Sequence, residues 1–488
     1  MSPLEAVRGV VADVFVAIEI PIVVYFVVVN SSYLLLMGLA SVSLVGHVRR
    51  ADHGGRPEAL RGRLNPGVSV IMPAYNEAAG IVAAVQAMLA LRYPQHEVVV
   101  VDDGSTDDTF GRLVAAFDLV EIDRPVPADI PVAAAVHSLA VPRDGQTRLL
   151  LVRKANSGKT EAVNVGINAS SEPLVAIVDA DSLLDPDALL TVAKPFTDDP
   201  ARVVASGGVI RPANGCTVVA GRVVRVGMPR GWLARIQVVE YLRAFLLGRA
   251  GWSKLGAVVL ISGAFGLFRR DVLIKVGGMR IGTLGEDFDL VMRIHKQMRD
   301  QSRDYRVVFV TEPIAWTEVP ATFRDLRRQR RRWHRGLWET LRDYRGMLLR
   351  RRYGAVGMVA LPWYWLFELI APVIELSGVL LVAIGWLLDV IGTEYVLLFL
   401  GVAYGYAMVV NLAVLVIEEL SFHKYPRWSD LGLLFLASVL ENVGYRLATA
   451  WWRLEGGWLA LTRRAPAWGA MTRQGFAQQD GQRDRNDV

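Results

Sequence analysis

The chain has 488 residues, of which 52% are hydrophobic and only 21% charged, with a mean hydropathy of +0.31 and a formal net charge of +6. This apolar content excludes an intrinsically disordered chain, and the single cysteine, Cys216, excludes a disulfide-stapled secreted fold. The charged fraction lies below the roughly 25% of an average soluble protein. These features predict an integral membrane protein, in which apolar spans are attached to a soluble unit.

The first predicted span lies near the start of the chain, where the 25 residues from Pro21 to Val45 carry no charge. At about 1.5 Å per residue, such a helix crosses a hydrocarbon core of about 30 Å. We therefore assign residues 1–48 to an N-terminal transmembrane helix. The positive-inside rule places Met1 outside and the following chain in the cytoplasm, because basic residues follow the span at Arg49, Arg50, Arg56, Arg61 and Arg63.

A second apolar region, residues 354–453, is predicted to form further transmembrane or interfacial helices. The run from Leu369 to Leu388 carries one acidic residue and the run from Tyr395 to Ile417 carries no charge, so both are long enough to span a bilayer. The run from Leu431 to Leu440 is apolar for only ten residues. That length suits a re-entrant or interfacial segment as well as part of a fourth span. Residues 454–488 form a basic tail that we place in the cytoplasm.

The soluble unit, residues 64–346, has an ordinary composition in which apolar β-rich runs alternate with helical stretches. This alternation predicts right-handed βαβ units around a buried parallel sheet. The predicted strands are 68–72, 97–102, 149–152 and 174–178, and the predicted helices are 77–91 and 159–169. The proline-rich residues 123–147 are expected to form an inserted loop. Ligands of open α/β sheets bind at the carboxyl ends of strands, so the polar clusters found there are the candidate site.

Two acidic clusters follow predicted strands. The second strand ends in Asp102-Asp-Gly-Ser105. This cluster is either an acidic turn that caps the next helix or a carboxylate that binds a nucleotide. Asp179 and Asp181 directly follow the fourth strand, where two carboxylates spaced by one residue point to the same side. Such hard oxygen ligands suit Mg²⁺ or Mn²⁺ that is held partly by substrate phosphates.

A lysine lies between these acidic clusters in Asn156-Ser-Gly-Lys-Thr160, which looks like part of a phosphate-binding loop. The complete motif requires a glycine at position 153, and that residue is arginine. A nucleoside triphosphatase is therefore disfavoured. Lys159 is still suited to neutralise a diphosphate.

Two further clusters lie later in the soluble unit. Gly285-Glu-Asp287 begins a predicted helix, either as a capped helix start or as a general base at a helix N-terminus. Gln329-Arg-Arg-Arg-Trp333 lies in a segment with nine arginines between Arg324 and Arg345. A basic helix on anionic lipid accounts for several of these arginines but not for the tryptophan. The membrane already explains the basic segment, so no nucleic-acid partner is expected.

Together these clusters resemble the processive, membrane-embedded members of glycosyltransferase family 2, which include cellulose, hyaluronan, chitooligosaccharide and poly-N-acetylglucosamine synthases. The resemblance implies an α/β GT-A (Rossmann-like) catalytic domain in the cytoplasm, inserted between transmembrane helices. It also implies inversion at the anomeric carbon of a UDP-sugar, with Mg²⁺ or Mn²⁺ as the cofactor. The motifs that carry it, in order, are Pro73-Ala-Tyr-Asn-Glu77, Asp102-Asp103-Gly-Ser, Asp179-Ala-Asp181, Gly285-Glu-Asp287 and Gln329-x-x-Arg332-Trp333.

The resemblance also implies roles for individual residues. Asp287 is the expected catalytic base, and the expected metal ligands are Asp179 and Asp181. Together with Lys159, the expected nucleotide-binding residues are Ala74, Tyr75, Glu77, Asp102, Asp103 and Asp179. The residues expected at the diphosphate and the acceptor sugar are Ser262, Gly263, Glu286, Gln329, Arg332 and Trp333.

The expected activity is transfer of a sugar from UDP-GlcNAc or UDP-glucose to a growing β-linked polysaccharide, by a multi-pass protein of the cell (inner or plasma) membrane. The expected partners are the UDP-sugar, a glycan or lipid acceptor and membrane lipid, with a second copy of the chain or an export subunit as further partners. Two alternatives remain open. One is a single transfer to a lipid acceptor, which makes a glycolipid, and the other is a non-catalytic export or scaffold subunit.

Overall fold

The computed structural model of the chain describes residues 3–52, 65–422, 425 and 427–462. Arg56, Arg61 and Arg63, on which the topology prediction partly depends, lie outside the described residues, as do residues 463–488 of the predicted tail. The strands are β1 (Val68–Ala74), β2 (His96–Asp102), β3 (Leu119–Ile122), β4 (Val136–Pro142), β5 (Leu149–Lys154), β6 (Leu174–Val178), β7 (Leu183–Leu184), β8 (Val203–Pro212), β9 (Thr217–Val219), β10 (Arg222–Arg225), β11 (Phe265–Arg269) and β12 (Arg306–Thr317).

The helices fall into a first long helix, a group within the soluble unit and a group in the second apolar region. The α-helices are α1 (Pro3–Asp52), α2 (Ile81–Leu89), α3 (Thr109–Phe117), α4 (Lys159–Ala169), α5 (Ala188–Asp198), α6 (Trp232–Tyr241), α7 (Ala250–Lys254), α8 (Arg270–Lys275), α9 (Glu286–Asp300), α10 (Phe323–Asp343), α11 (Leu361–Tyr364), α12 (Ala371–Leu387), α13 (Thr393–Leu400), α14 (Tyr406–Phe422), α15 (Trp428–Leu440) and α16 (Arg446–Leu461). A π-helical segment, Leu242–Arg249, joins α6 to α7.

A ten-stranded mixed sheet forms the centre of the soluble unit, in the order β3-β4-β5-β2-β1-β6-β11-β8-β12-β7. The four predicted strands are β5, β2, β1 and β6, and they are parallel neighbours. Their continuous apolar runs arise because strands covered on both faces need no polar alternation. The predicted α/β class is therefore confirmed. The sheet is mixed because β11 joins β6 in the antiparallel direction.

Two of the predicted boundaries are wrong. Residues 136–142, placed in a loop by their proline-rich surroundings, form β4, which pairs antiparallel with β5. The helix predicted from Glu77 begins at Ile81, because residues 75–80 form a turn whose backbone N–H groups bond to side chains of the next polar cluster. The helix predicted over residues 159–169 is confirmed as α4.

Helix α4 lies directly on the parallel strands because Gly166 has no side chain. A Cβ atom at this position would lie 2.4 Å from Ile71 Cγ2 and 3.3 Å from Val101 Cγ2. Such short contacts between atoms of a packed core do not occur. The close approach brings Lys159, the first residue of α4, to the edge of the sheet where β1, β2 and β6 end.

Three helices in the described part of the chain are long and apolar enough to cross a membrane: Glu5–Val42, Thr393–Phe422 and Trp428–Leu461. The pair Val356–Leu369 and Ala371–Leu387 meets the same test together, with a bend of 41° between its two helices. The predicted span from Leu369 to Leu388 is thus the second half of a bent pair. The number of potential spans is three, or four if the pair is one span.

The last apolar helix is broken between α15 and α16. Val443 and Gly444 have non-helical backbone angles, with φ of +83° at Gly444. The 13 residues of α15 extend only about 20 Å, which is shorter than the hydrocarbon core. After the break, α16 packs against α10, where a Cβ at Gly456 would lie 2.4 Å from Arg331 O. The structure therefore favours a broken segment over a straight fourth span.

A buried ion pair joins the sheet to an apolar helix. Arg211, in β8, donates a hydrogen bond from Nη2 to Oε1 of Glu418, in α14. Both side chains are almost completely shielded from solvent. Each charge in such a pair depends on the other, because an uncompensated buried charge is strongly unfavourable.

We expect Arg211→Met to lower the free energy of unfolding by roughly 3–5 kcal/mol, because Glu418 is then left buried without its cation. Arg202→Met is the matched control, since Arg202 forms an ion pair with Asp199 at the protein surface and exposed pairs contribute about 1 kcal/mol at most. The measurement is chemical unfolding of the purified protein in detergent micelles. Equal destabilisation by the two substitutions would contradict the prediction.

Candidate functional site

The first two sequence motifs interlock at the carboxyl ends of β1 and β2. Asn76 has a positive φ of 55°, and its Oδ1 accepts hydrogen bonds from the backbone N–H of Thr106 at 2.8 Å and of Asp107 at 3.3 Å. In return, Asn76 N donates to Ser105 Oγ at 3.0 Å and Ala78 N donates to Asp107 Oδ2 at 3.1 Å. The two turns therefore form one rigid edge, on which Tyr75 is 47% exposed.

Asp103 is buried and binds the loop that follows β5. Its carboxylate accepts hydrogen bonds from Ser157 N at 3.0 Å and Gly158 N at 2.8 Å, and forms an ion pair with the fully buried Lys154. Its capacity as an acceptor is largely used by these partners. Asp103 therefore positions the residues that lead to Lys159.

Asp102, in contrast, keeps part of its carboxylate unused. Its Oδ1 accepts a hydrogen bond from Ser105 N at 3.2 Å. Its Oδ2 is buried and has no hydrogen-bond partner among the residues that the structure describes. Buried polar atoms without a partner are rare in folded proteins. Asp102 Oδ2 is thus an available acceptor at the edge of the sheet.

Four of the predicted residues meet beyond the end of β6. Lys159 Nζ lies 2.5 Å from Asp179 Oδ1, and the backbone N–H of Gly263 donates to Asp287 Oδ2 at 3.1 Å. A Cβ atom at Gly263 would lie 3.7 Å from Asp287 Oδ2 and 3.8 Å from Lys159 Nζ. Gly263 therefore separates an ammonium group from a carboxylate, and a side chain at this position would narrow the gap between them.

The charges in this centre shift the pKa values of two groups. Burial by itself would lower the pKa of Lys159, but the carboxylates of Asp179, Glu286 and Asp181 raise it to about 12. Burial, and then the adjacent carboxylate of Asp287, raise the pKa of Glu286. Lys159 thus remains a cation at neutral pH, and Glu286 holds a proton more readily than an exposed carboxyl.

The donor set suits a divalent cation only if a ligand supplies further oxygens. No group of three or more His, Cys, Asp or Glu side chains arranged to hold a metal ion occurs within the described ranges. Asp179 and Asp181 are partly exposed at a strand end, beside the cation of Lys159. Two carboxylates next to open space fit Mg²⁺ or Mn²⁺ that shares its coordination with a diphosphate.

The start of α9 lies directly against α10. A Cβ at Gly285 would lie 3.2 Å from Gly336 C, and one at Gly336 would lie 2.8 Å from Gly285 N. The electrostatic influence of Arg332 on the pKa of Glu286 places the Gly285-Glu-Asp287 motif beside the Gln329-x-x-Arg332-Trp333 motif. The two predicted motifs are therefore one spatial unit.

The side chains of that second motif differ in exposure. Gln329 is buried at 6% exposure, whereas Trp333 is 42% exposed. The guanidinium carbon of Arg330 lies 4.7 Å from the centre of the Trp333 ring, and Arg330 Nη2 donates to Glu240 Oε2 at 2.6 Å. Trp333 is therefore held in place by a fixed cation, and part of its ring remains exposed.

Most of the arginines along α10 form ion pairs with carboxylates of the protein itself. Arg327 and Arg331 pair with Glu455 of α16, and Arg335 pairs with Glu339. These ion pairs engage arginines that the sequence had indicated as contacts for anionic lipid. The helix is thus a structural junction between the site and the apolar helices.

Sequence reasoning did not identify two residues of the site, Asn76 and Lys154. Asn76 lies inside the first motif, and a positive φ at a non-glycine residue within a strand-end turn is the feature that marks it. Lys154 ends β5 as a lysine with no exposed surface. In the sequence, the available signal was a lysine two residues after the apolar run 149–152.

Two family descriptions match the chain. Residues 174–411 match "Glycosyl transferase family group 2" and residues 69–118 match "Glycosyl transferase family 2". The poly-β-1,6-N-acetyl-D-glucosamine synthase of Staphylococcus aureus strain COL is 26% identical over 290 residues, which are 59% of this chain and 58% of that protein. The synthase of the same name from Staphylococcus epidermidis is 26% identical over 279 residues, 57% of this chain and 56% of that protein. The chain thus matches less than two thirds of the length of these relatives.

Among solved structures, a mannosyltransferase from Pyrobaculum calidifontis in complex with GDP-Man and Mn²⁺ covers 87% of this chain and 99% of its own. The TM-score is 0.50 and the sequence identity is 18%. At this identity the likeness concerns the fold, and it confirms the predicted Rossmann-like arrangement of the soluble unit.

His295 makes the stability of the fold depend on pH. It lies in α9, where Nε2 donates to Val258 O at 2.7 Å and Nδ1 accepts from Tyr305 Oη at 2.6 Å. Burial lowers the pKa of His295 to about 4. The unfolded chain therefore binds more protons than the folded chain between about pH 6.5 and pH 4, so stability falls as the pH is lowered through that window.

As the pH is lowered through this window, titration of His295 should lower the free energy of unfolding by up to roughly 1.4 kcal/mol per pH unit. His295→Gln keeps a donor for Val258 O and an acceptor for Tyr305 but does not titrate, so its stability should decline less steeply between pH 7 and pH 5. The measurement is thermal unfolding of both proteins at several pH values. Identical slopes would show that His295 is not the acid-sensitive group.

Proposed function

The chain belongs to glycosyltransferase family 2, and we propose that it transfers a sugar, with inversion at the anomeric carbon, from a UDP-sugar to a growing β-linked polysaccharide. The observation that carries the proposal is the arrangement around Gly263, with Lys159 and Asp179 on one side and Asp287 on the other. Lys159 can neutralise a leaving diphosphate, and Asp287 can accept the proton of an attacking hydroxyl. Only the backbone of Gly263 lies between these two side chains.

On the donor side, we assign binding of the nucleotide to the interlocked turns after β1 and β2. Asp102 Oδ2 is a buried acceptor without a partner among the described residues, which suits an N–H group of the base. Tyr75 offers an exposed ring beside it. Lys159, protonated at neutral pH, offsets the negative charge that develops on the diphosphate as the bond to the sugar breaks.

A divalent cation bound by Asp179 and Asp181 would supply further positive charge for the leaving diphosphate. Lys159 already forms an ion pair with Asp179. Its ammonium group therefore lies next to one of the carboxylates that would hold the cation, where it can bind the same diphosphate.

On the acceptor side, we assign Asp287 as the base. The oxygen of the acceptor hydroxyl forms the new bond to the anomeric carbon, its proton passes to Asp287, and the electron pair of the broken bond leaves with UDP. The backbone N–H groups of Gly263 and Phe288 donate to the two carboxylate oxygens of Asp287 at 3.1 Å and 2.8 Å. These bonds orient the base, whose contribution is roughly 10²–10⁴-fold.

The names of the Staphylococcus relatives support a polymer of β-linked N-acetylglucosamine as the first candidate product, with UDP-GlcNAc as donor and UDP-glucose as the next candidate. We propose further that the catalytic unit lies on the cytoplasmic face of the cell membrane. The apolar helices on either side of the unit and the basic residues after α1 support this orientation. Membrane lipid, and a second copy of the chain or an export subunit, are the proposed partners.

A panel of radiolabelled UDP-sugars tests the function. We expect the purified protein in lipid nanodiscs to incorporate label from one UDP-sugar into long product with Mg²⁺ or Mn²⁺, and to lose this activity in excess EDTA. Asp287→Asn is the control, because the amide fills the same space but cannot accept the proton. It should bind UDP normally and lose roughly 10²-fold or more of the rate.

Each other outcome of this panel contradicts a defined part of the proposal. Full turnover in EDTA would remove the metal. Product that stops at one sugar on a lipid would replace the polymer with a glycolipid. Absence of transfer from every UDP-sugar would contradict the proposed function itself.

Trp333 should matter for elongation more than for nucleotide binding. Its exposed indole lies on the helix that packs against the catalytic carboxylates, where it can stack on successive sugars without requiring a particular hydroxyl pattern. We expect Trp333→Ala to bind UDP with near-normal affinity and to make little or no long product, with Trp333→Phe intermediate. Calorimetry with UDP and gel analysis of product length are the measurements. Polymer of normal length from Trp333→Ala would assign the indole to the membrane interface instead.

A further inference from the structure

Arg249 holds a buried donor that no described contact explains. It ends the π-helical segment Leu242–Arg249, and its guanidinium carbon lies 3.9 Å from the centre of the Phe245 ring. Its Nη1 atom is shielded from solvent and has no hydrogen-bond partner in the part of the chain that the structure describes. An unsatisfied buried donor is unfavourable by about 1–3 kcal/mol or more. An acceptor group of a ligand at this position would remove that penalty.

Aromatic rings connect the surroundings of Arg249 to the catalytic carboxylate. Trp252 lies three residues after Arg249, and its ring centre is 6.2 Å from that of Tyr364. The Tyr364 ring is in turn 5.7 Å from that of Phe288, the residue directly after Asp287. Arg249 and Asp287 therefore border the same aromatic-lined region, next to the apolar helices.

The charges around Asp287 divide into two groups. Lys159 and Arg332 act on Glu286, on the side of the proposed diphosphate. Burial lowers the pKa of Arg249, and Tyr364 and Asp287 are close enough to oppose that shift. Arg249 is thus a cation near Asp287 that is distinct from Lys159 and Arg332 and lies beside the aromatic rings.

We propose that Arg249 positions the acceptor sugar, by donating hydrogen bonds from its guanidinium edge to hydroxyl or amide carbonyl oxygens of the terminal residue of the glycan. The planar group presents several N–H donors in a fixed geometry. A few fixed polar groups among aromatic side chains are typical of sites that orient a ligand. This inference rests on the proposed function, because it names the acceptor side of the same centre.

The test compares Arg249→Gln and Arg249→Lys with the control Arg235→Gln. Arg235 is also stacked on an aromatic ring, with its guanidinium carbon 4.6 Å from the centre of Trp232, and it lies in the preceding helix α6. Three quantities are measured on the full chain in nanodiscs: the KM for a β-linked N-acetylglucosamine tetramer, the rate of UDP-GlcNAc hydrolysis without acceptor, and the Kd for UDP.

We expect Arg249→Gln to raise the KM for the tetramer roughly tenfold or more, with the hydrolysis rate and the Kd for UDP within about twofold of wild type. The KM of Arg249→Lys should lie between those of wild type and Arg249→Gln, because lysine keeps the charge but lacks the planar guanidinium group. The control Arg235→Gln should leave all three quantities within about twofold. An unchanged KM in Arg249→Gln would overturn the proposal, and so would a parallel loss of hydrolysis and UDP binding, which would place Arg249 at the donor.

Two further measurements keep the outcome decisive. If Arg249→Gln unfolds at a lower temperature than wild type, the proposal is tested with Arg249→Lys instead. We then expect Arg249→Lys to raise the KM for the tetramer severalfold at an unchanged unfolding temperature. If wild type transfers no sugar, the proposed function fails by itself. Calorimetric binding of the tetramer in the presence of UDP then still reports on Arg249, and equal binding by wild type and Arg249→Gln would overturn its role.

Discussion

The direct backbone contact between Gly285 and Gly336 sets the distance between α9 and α10, and the arrangement of the candidate site depends on that distance. Any side chain at either position would separate the two helices. Asp287, two residues after Gly285, would then move away from the N–H of Gly263 that orients it. Arg332, four residues before Gly336, would move away from Glu286, whose pKa it influences. Two glycines thus join motifs that are far apart in the sequence.

Ion pairs accompany the apolar packing where the soluble unit meets the apolar helices. Arg243 of the π-helical segment bonds to Glu441 at 2.6 Å and to Asn411 at 2.6 Å, and Arg211 of β8 pairs with Glu418 of α14. Buried pairs add little net stability because desolvation offsets their attraction, but a misplaced helix leaves charges unmatched. Such pairs therefore select one docking geometry among several that apolar surfaces alone would permit.

The parallel part of the sheet and the polar clusters at its edge could be predicted because each has a local signal. Apolar runs mark β1, β2, β5 and β6, and the carboxylates that follow them lie within a few residues. The role of Asp103 could not be predicted, since its partner Lys154 comes from another strand. The strand β4 was missed because the prolines around it resemble a loop. The break at Val443 and Gly444 was not predicted, although a glycine can adopt the positive φ found there.

The packing of α16 on α10 also has a consequence for biosynthesis. The ribosome releases α10 more than a hundred residues before α16, so the soluble unit can collapse around its sheet while the charges of Arg327 and Arg331 still lack their partner Glu455. Helix α10, which carries the Gln329-x-x-Arg332-Trp333 motif, is therefore completed only after α16 has been synthesised. The last ion pairs of the soluble unit thus form only when the apolar helices that follow it in the sequence are in place.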